Sequence, residues 1–555
     1  MKKCWYKEMA VYQIWPRSFC DSNGDGIGDL GGVLQKLDYI KSLNVDAIWF
    51  SPLYPSPNAD YGYDIADYKN INPEYGDLET FKKVLDGAHE RGLKVFMDLV
   101  VNHTSDEHEW FKESLKGKDN PYHDYYFWRK GKGDKKPPNN WLSTFEGGAW
   151  EYNEDLDEYY LHVFAKKQPD LNMDNPKVRE EVKNIMRFWL DMGVDGFRED
   201  VITYISKEEG LPDGFPLPVA TGLEHYKKGP HLYEYLAEFR HDVLDNYDCF
   251  TVGEGPMMTS DMALEFITEG ENQVLNTMFH FQHMEADCIM TDWVRTPFNL
   301  RKLKKAFSHW QDALAGKAWN TLYLENHDHP RVIDRYGSLE YRVESAKMLA
   351  TMCYLQCGTP FIYQGQEIGM TNIALDSIDK FKDVITFNNQ RVFGNFGIKG
   401  DRFLKIANKC SRENSRTPVQ WDNSKYAGFS TAEPWFDVNP NYTEINVEAA
   451  ENDKNSILNY YRKLLKFRKE HEVAIYGDYK EHYKNSRHLY VFERNYEGQR
   501  LLVINSFTDK HIHFEAPEGF NLDDGELVLS NYRLSPVTKN SFVTRPYETR
   551  VYLFK

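Results

Sequence analysis

Short apolar runs with the reach of a buried strand alternate with stretches whose hydrophobic residues recur every three or four positions. Residues 10–15, 47–52 and 94–101 read as the first three strands, with helices near 30–43 and 78–91 between them. Residues 193–202 supply the fourth. The helix before it is well marked: Asn175 caps it, Pro176 takes its first position, Val178, Val182, Ile185, Met186 and Trp189 share one face, and Gly193 ends it. Residues 250–254, 275–279, 321–325 and 360–364 complete eight strand-helix units, which predicts an α/β fold, a closed parallel (β/α)8 barrel over 1–103 and 174–478.

Two segments break the alternation. Residues 104–173 are polar, aromatic and rich in glycine and asparagine, too long for a barrel loop, and predict an inserted subdomain. A second insert spans about 370–451. Beyond an amphipathic helix near 457–468, alternating strands at 488–492 and 501–504 flank a turn at Glu497 and Gly498, and predict a C-terminal antiparallel β-domain, a sandwich, over 479–555.

Composition narrows the function. Of 555 residues 41% are hydrophobic and 15% aromatic, enough for a large core and for the flat apolar platforms on which sugars stack. A net charge of -18 argues against nucleic acid and anionic membrane as partners. No apolar run approaches the ~20 residues of a membrane span, and the lysines at positions 2 and 3 have no hydrophobic stretch behind them. Seven scattered cysteines without metal-ligand spacing suit a reducing compartment. A cytoplasmic protein, monomeric or weakly homo-oligomeric and without an organic cofactor, is expected.

The chemistry should lie where barrel strands end. Arg198 and Asp200 sit two apart on the fourth strand and so project together, a guanidinium beside a carboxylate that it can keep ionised. The fifth and seventh strands end at Glu254 and Asp328. Three acids at one mouth repel one another unless they divide their protonation states. Cleaving a glycosidic bond requires such a division: one carboxylate attacks, and another protonates the departing oxygen, about 5 to 5.5 Å away in retaining enzymes.

The runs Asp98-Leu99-Val100-Val101-Asn102-His103, Gly196-Phe197-Arg198-Glu199-Asp200-Val201, Thr251-Val252-Gly253-Glu254 and Asn326-His327-Asp328 resemble the four motifs of the α-amylase superfamily of retaining glycoside hydrolases. Gln168-Pro169-Asp170-Leu171-Asn172 and the run from Arg416 to Asp422 resemble markers of its oligo-1,6-glucosidase and α-glucosidase branch. The resemblance spans nearly the whole chain. It implies Asp200 as nucleophile, Glu254 as general acid/base and Asp328 as the residue that holds substrate hydroxyls. It further implies that His103 and His327 donate to the sugar, Tyr63 stacks on the terminal glucose, and Asp60 closes the pocket with an arginine, taken as Arg416 with Arg412 as rival.

A separate loop, Asp21-Ser22-Asn23-Gly24-Asp25-Gly26-Ile27-Gly28-Asp29, places oxygen side chains around glycines as a hard divalent cation requires. Residue twelve is Gly32, so this is no EF-hand; a metal-free Gly/Asx turn is the plain alternative. The resemblance implies structural Ca2+ held by Asp21, Asn23, Asp25, the Ile27 carbonyl and Asp29.

The resemblance also bears on the substrate, a small oligosaccharide. In this branch a valine after the nucleophile goes with α-1,6 links, so Val201 leans toward isomaltose-like substrates, a difference worth about 1–3 kcal/mol in a pocket. Sucrose isomerases of the branch carry an Arg-Leu-Asp-Arg-Asp run that is missing here, and trehalose-6-phosphate hydrolysis would need a basic phosphate pocket. A catalytically silent scaffold would lack the acids. Glu199, beside the nucleophile, should face outward and require a partner.

Overall fold

The computed structural model describes residues 2–145, 147–217, 219–533, 537 and 540–555. All eight expected strands form: β1 (Val11–Ile14), β2 (Ala47–Phe50), β3 (Lys94–Leu99), β4 (Gly196–Glu199), β5 (Phe250–Glu254), β6 (Thr277–Phe279), β7 (Thr321–Leu322) and β8 (Thr359–Tyr363). They pair in parallel in the order β7-β8-β1-β2-β3-β4-β5-β6. Side chains clasp the last seam. Thr277 Oγ1 donates to the Trp319 carbonyl at 2.6 Å, and Thr321 Oγ1 donates to the Met278 carbonyl at 3.1 Å, so β6 and β7 meet without a regular ladder.

Alternation decides what each strand offers. Val11, Trp49, Phe96, Phe250, Val252, Phe279 and Phe361 pack together in one buried cluster inside the barrel, below the strand ends. On β4, Phe197 belongs instead to the core shared with the surrounding helices, which leaves Gly196 and Arg198 on the inner side. Gly196 has φ 148°, and a Cβ there would lie 1.9 Å from the Phe250 carbonyl oxygen, so β4 and β5 can approach only with glycine at this position.

The marked helix forms over Pro176–Met192, with the Asn175 side chain accepting from the Lys177 amide and Gly193 closing it at φ 110°. Between β3 and this helix, the strands Trp128–Arg129, Trp150–Asn153 and Glu158–Leu161 make a three-stranded antiparallel sheet. The second insert carries the helices Val384–Asn395 and Asp401–Cys410. After the helix Ile457–Glu470 come β9 (Asp478–His482), β10 (Leu489–Tyr496), β11 (Gln499–Ser506), β12 (Glu526–Ser530) and β13 (Thr549–Phe554), ordered β9-β10-β11-β13-β12 and antiparallel. One face of this sheet, through Tyr490, Phe492, Leu501 and Val503, joins the barrel core. The other, through Val491, Leu502 and Ile504, packs on Phe514 and Phe542 of a two-stranded ribbon. No helix among the described residues is long and apolar enough to cross a membrane.

Candidate active site

Arg198 is the hub. Its Nη1 donates to Asp98 Oδ1 at 2.7 Å and to Asp200 Oδ1 at 2.6 Å, while Nη2 lies 2.8 Å from Glu254 Oε2. The side chain is 2% exposed and rests over the Trp49 ring, 5.3 Å from its centroid. Three acids from β3, β4 and β5 therefore converge on one buried cation. Beyond Glu199 the chain leaves the strand through Val201 at φ 35°, ψ 37°, a backbone conformation rare for a β-branched residue. That turn points the Val201 amide at Glu254 Oε2, 3.0 Å away. Both of these donors fall on Oε2 rather than on Oε1.

Asp328, whose side chain is 31% exposed, stands on the other side of the pocket. His327 Nε2 meets its Oδ2 at 3.0 Å, and Arg412 Nη1 and Arg416 Nη2 meet its Oδ1 at 3.1 and 3.0 Å. Burial would raise this carboxyl, but His327 and the two guanidiniums outweigh it and hold it well below the usual carboxylate range. For Asp200 the balance is reversed. Burial pushes it up, Arg198 opposes that, and Glu254, Asp98 and Asp328 add repulsion. Burial likewise lifts Asp98 to about 6. One guanidinium facing three carboxyls is the electrostatic setting in which a cluster retains a proton near neutral pH.

The histidines are locked. His327 lies between the Tyr63 ring, stacked at 5.3 Å, and the Trp15 ring, stacked at 5.4 Å. The Gln13 amide donates to Nδ1 at 2.8 Å, which assigns the proton to Nε2, facing Tyr63 Oη at 2.5 Å and Asp328. Burial lowers both His327 and His103 to about 4, so each is neutral at pH 7. His103 Nε2 contacts Gln168 Nε2 at 3.1 Å, and Gln168 in turn donates to Asp60 Oδ2 at 3.1 Å. Tyr63 is 5% exposed and its hydroxyl donates to Asp98 Oδ2 at 3.1 Å.

The structure corrects one assignment. The arginine paired with Asp60 is Arg412, whose Nη2 reaches Asp60 Oδ1 at 2.5 Å, and not Arg416. Arg416 is anchored elsewhere: its guanidinium sits 4.3 Å from the Trp15 ring centroid, Nε donates to the His327 carbonyl at 2.8 Å and Nη1 to Asp383 Oδ2 at 2.8 Å. Arg412 also donates from Nε to Asp383 at 2.7 Å. Asp98, Asp383 and Gln168 thus belong to the site, although sequence reasoning gave them no role. Asp98 and Gln168 stand inside the quoted motifs, and Asp383 has only the ordinary mark of a helix cap. Asp64 accepts from Ser56 and the amides of residues 59 and 60, and Glu367 accepts from the Tyr12 and Tyr39 hydroxyls, both as structural anchors.

In the glycine-rich loop, Asp21 accepts from the amides of Asn23, Gly24 and Gly26 and from the Ser430 hydroxyl. Asp25 accepts from the Ile27 amide and Asn23 from that of Asp25, while Asp29 caps the helix Leu30–Ser42. These oxygens keep lone pairs that a cation could take. Among the described residues, no group of three or more His, Cys, Asp or Glu side chains is clustered closely enough to hold a metal.

A closed parallel barrel whose strand ends gather acids around one arginine defines a glycoside hydrolase. More particularly, the chain belongs to the alpha-amylase family, whose catalytic-domain model matches residues 13–477. It is 49% identical to the oligo-1,6-glucosidase of Parageobacillus thermoglucosidasius, covering 100% of this chain and 99% of that one. The solved trehalose-6-phosphate hydrolase of Bacillus licheniformis is 43% identical with a TM-score of 0.96. The isomaltulose synthase of Protaminobacter rubrum is 39% identical, also with a TM-score of 0.96. Both solved structures are covered over 100% of each chain.

Proposed function

We propose that this protein is a retaining exo-acting α-glucosidase that removes non-reducing terminal glucose from short oligosaccharides, with preference for α-1,6 links. The observation that carries the reading is the joining of Asp98, Asp200 and Glu254 through Arg198 opposite Asp328. Asp200 attacks the anomeric carbon as the bond to the aglycone breaks, and Glu254 delivers its Oε1 proton to the departing oxygen. Water then returns a proton to Glu254, and its hydroxyl displaces Asp200 from the sugar. Asp328, fixed by two arginines and His327, grips ring hydroxyls in the transition state. The Asp60–Arg412 pair and Tyr63 wall off the rear of the pocket, which supports removal of one terminal unit.

The α-1,6 preference rests on Val201 and on the names of relatives such as the oligo-1,6-glucosidase from Parageobacillus. Purified enzyme assayed side by side on isomaltose, maltose, sucrose, trehalose and trehalose-6-phosphate tests it; faster cleavage of trehalose-6-phosphate than of isomaltose would refute it. Asp200→Asn should retain the fold and lose ~10³-fold or more of kcat, because the covalent step disappears. Near-full activity in that variant rejects the mechanism.

Calcium belongs to the same reading as a structural ion. Asp21, Asn23, Asp25, the Ile27 carbonyl and Asp29 would hold it, drawing closer together than they stand in this structure and exchanging some amide hydrogen bonds for ligation. A Tm that falls on chelation and recovers with added Ca2+ is expected; an unchanged Tm would remove the ion from the account. The free thiols support a cytoplasmic location. A monomer or weak homo-oligomer is proposed with it, to be read by light scattering.

A further inference from the structure

A strained turn forms the rear of the pocket. Residues 60–63 close on themselves through the Tyr63 amide, which donates to the Asp60 carbonyl at 3.2 Å. Both central residues hold left-handed backbone, Tyr61 at φ 43° and Gly62 at φ 107°, as in a type I′ turn. Glycine, asparagine and aspartate dominate such positions; a tyrosine at the first of them is held there only by its surroundings. The ends of the turn are Asp60 and Tyr63, the two residues that wall off the pocket, and its tip is Tyr61.

What holds the tip belongs to the second insert. The Tyr61 ring packs on the Trp435 ring with centroids 5.3 Å apart. The Arg17 guanidinium lies 5.7 Å from the Tyr61 centroid and 5.0 Å from that of Trp435, and Glu74 fixes it at 2.8 Å. The Tyr61 hydroxyl donates to the Lys382 carbonyl at 3.4 Å, and Lys382 Nζ donates to the Trp435 carbonyl. Trp435 Nε1 donates to Ser18 Oγ at 3.0 Å, and that hydroxyl donates to the Arg416 carbonyl at 2.6 Å. Two ties therefore span one gap. On the pocket side Asp60 meets Arg412 and, through it, Asp383; behind them Tyr61 meets Trp435 and Lys382, the neighbour of Asp383.

We propose that Tyr61 and Trp435 are positioning residues that set the enzyme's affinity for a terminal glucose, their contact bracing the turn so that Asp60 and Tyr63 stand in place before the sugar arrives. The inference rests on the glucosidase reading above and deepens it. Without the brace the turn must be ordered on binding, which weakens substrate and product alike. The reacting acids are fastened separately, by Arg198, so KM rises while kcat holds.

Tyr61→Asn tests it, because asparagine suits left-handed backbone and removes only the ring. Trp435→Leu removes the partner, and Tyr61→Phe keeps the stack. With circular dichroism confirming the fold, kcat and KM are measured on isomaltose and maltose, together with inhibition by glucose. Tyr61→Asn and Trp435→Leu should each raise KM and the glucose inhibition constant ~fivefold or more with kcat within ~twofold, the double variant should be no worse than either, and Tyr61→Phe should stay within ~twofold of the wild type. Unchanged KM and glucose inhibition in Tyr61→Asn overturn the proposal, as does a loss confined to kcat or a double variant in which the two effects multiply. If Trp435→Leu does not fold, the two Tyr61 variants decide alone. Failure of the wild type to cleave either disaccharide would overturn the glucosidase reading instead; calorimetric titration with glucose then decides the brace, weaker binding by Tyr61→Asn supporting it and equal binding overturning it.

Discussion

Glu199 shows what a single residue can impose. It neighbours the nucleophile, projects to the outer side of β4, is 1% exposed, and both of its carboxyl oxygens are buried without a hydrogen-bond partner. The outward placement agrees with the alternation of the strand, but the partner that position required is not there. Burial pushes this carboxyl to about 8 from an ordinary 4.5, only partly opposed by Arg240. The unfolded chain ionises it near 4.5 and the folded chain only near 8, so the folded state binds the extra proton between those values. Stability contributed by the group therefore falls as pH rises through that window, by on the order of 4 to 5 kcal/mol in all, and levels off above it. Glu199→Met should raise Tm clearly at pH 8 and much less at pH 5, as calorimetry at both values would reveal; an equal shift at the two would remove the buried proton from the explanation. Arg412 works in the opposite sense, neutralising Asp60, Asp328 and Asp383 at once. Arg412→Ala should lower kcat/KM by ~10²-fold or more and raise KM, since it leaves the buried Asp60 uncompensated and Asp328 and Asp383 with Arg416 as their remaining guanidinium where the sugar binds. Unchanged kinetics would mean that the pair closes nothing.

At the level of the element, β4 depends on a missing side chain. Gly196→Ala would drive a Cβ into the Phe250 carbonyl and impose an alanine on φ 148°. It should cost more than ~3 kcal/mol in denaturant unfolding, and loss below ~1 kcal/mol would contradict the closeness of β4 to β5. The same strand illustrates what the chain discloses in advance. Parallel strands are buried on both faces, so eight apolar runs stood out, and the order of the motifs placed an acid at the ends of the fourth, fifth and seventh. Strand ends were less legible. Val100 and Val101 are fully buried yet lie outside β3, because the inserted subdomain covers the segment that follows. β7 keeps only Thr321 and Leu322 of its five-residue run. Arg412 and Arg416 flank a short turn just past the amphipathic helix Asp401–Cys410, where no sequence pattern tells them apart, and it is Arg416 that packs on Trp15 while Arg412 reaches Asp60. The hub role of Arg198 toward Asp98 was equally hidden, since strand pairing sets it across a hundred residues of chain.

Across the whole molecule, a buried arginine ties the C-terminal sheet to the barrel. Arg494 of β10 is fully buried; Nη1 donates to the carbonyls of Leu355 and Ala474 at 2.5 and 3.1 Å, and Nη2 to those of Ile475 and Gly477 at 3.1 and 2.7 Å. No carboxylate pairs with it through these contacts; burial lowers its proton affinity, opposed at longer range by groups that include Asp478, and the direct partners of the charge are backbone carbonyls. Arg468, on the helix Ile457–Glu470, likewise donates to backbone carbonyls, those of Tyr354 and Gly358. Four carbonyls that face one guanidinium cannot be satisfied by any shorter side chain, and each orphaned acceptor costs roughly 1–3 kcal/mol. Arg494→Met removes the donors and keeps most of the volume. With the sheet face of Tyr490, Phe492, Leu501 and Val503 buried in the common core, the wild type should unfold in a single calorimetric transition. The variant should unfold several degrees lower, with the C-terminal sheet loosening first and tryptic cleavage appearing near residue 477 while glucosidase activity persists. A variant that melts with the wild type, or loses activity before the sheet opens, would show that the two parts are held together by their apolar face rather than by the arginine.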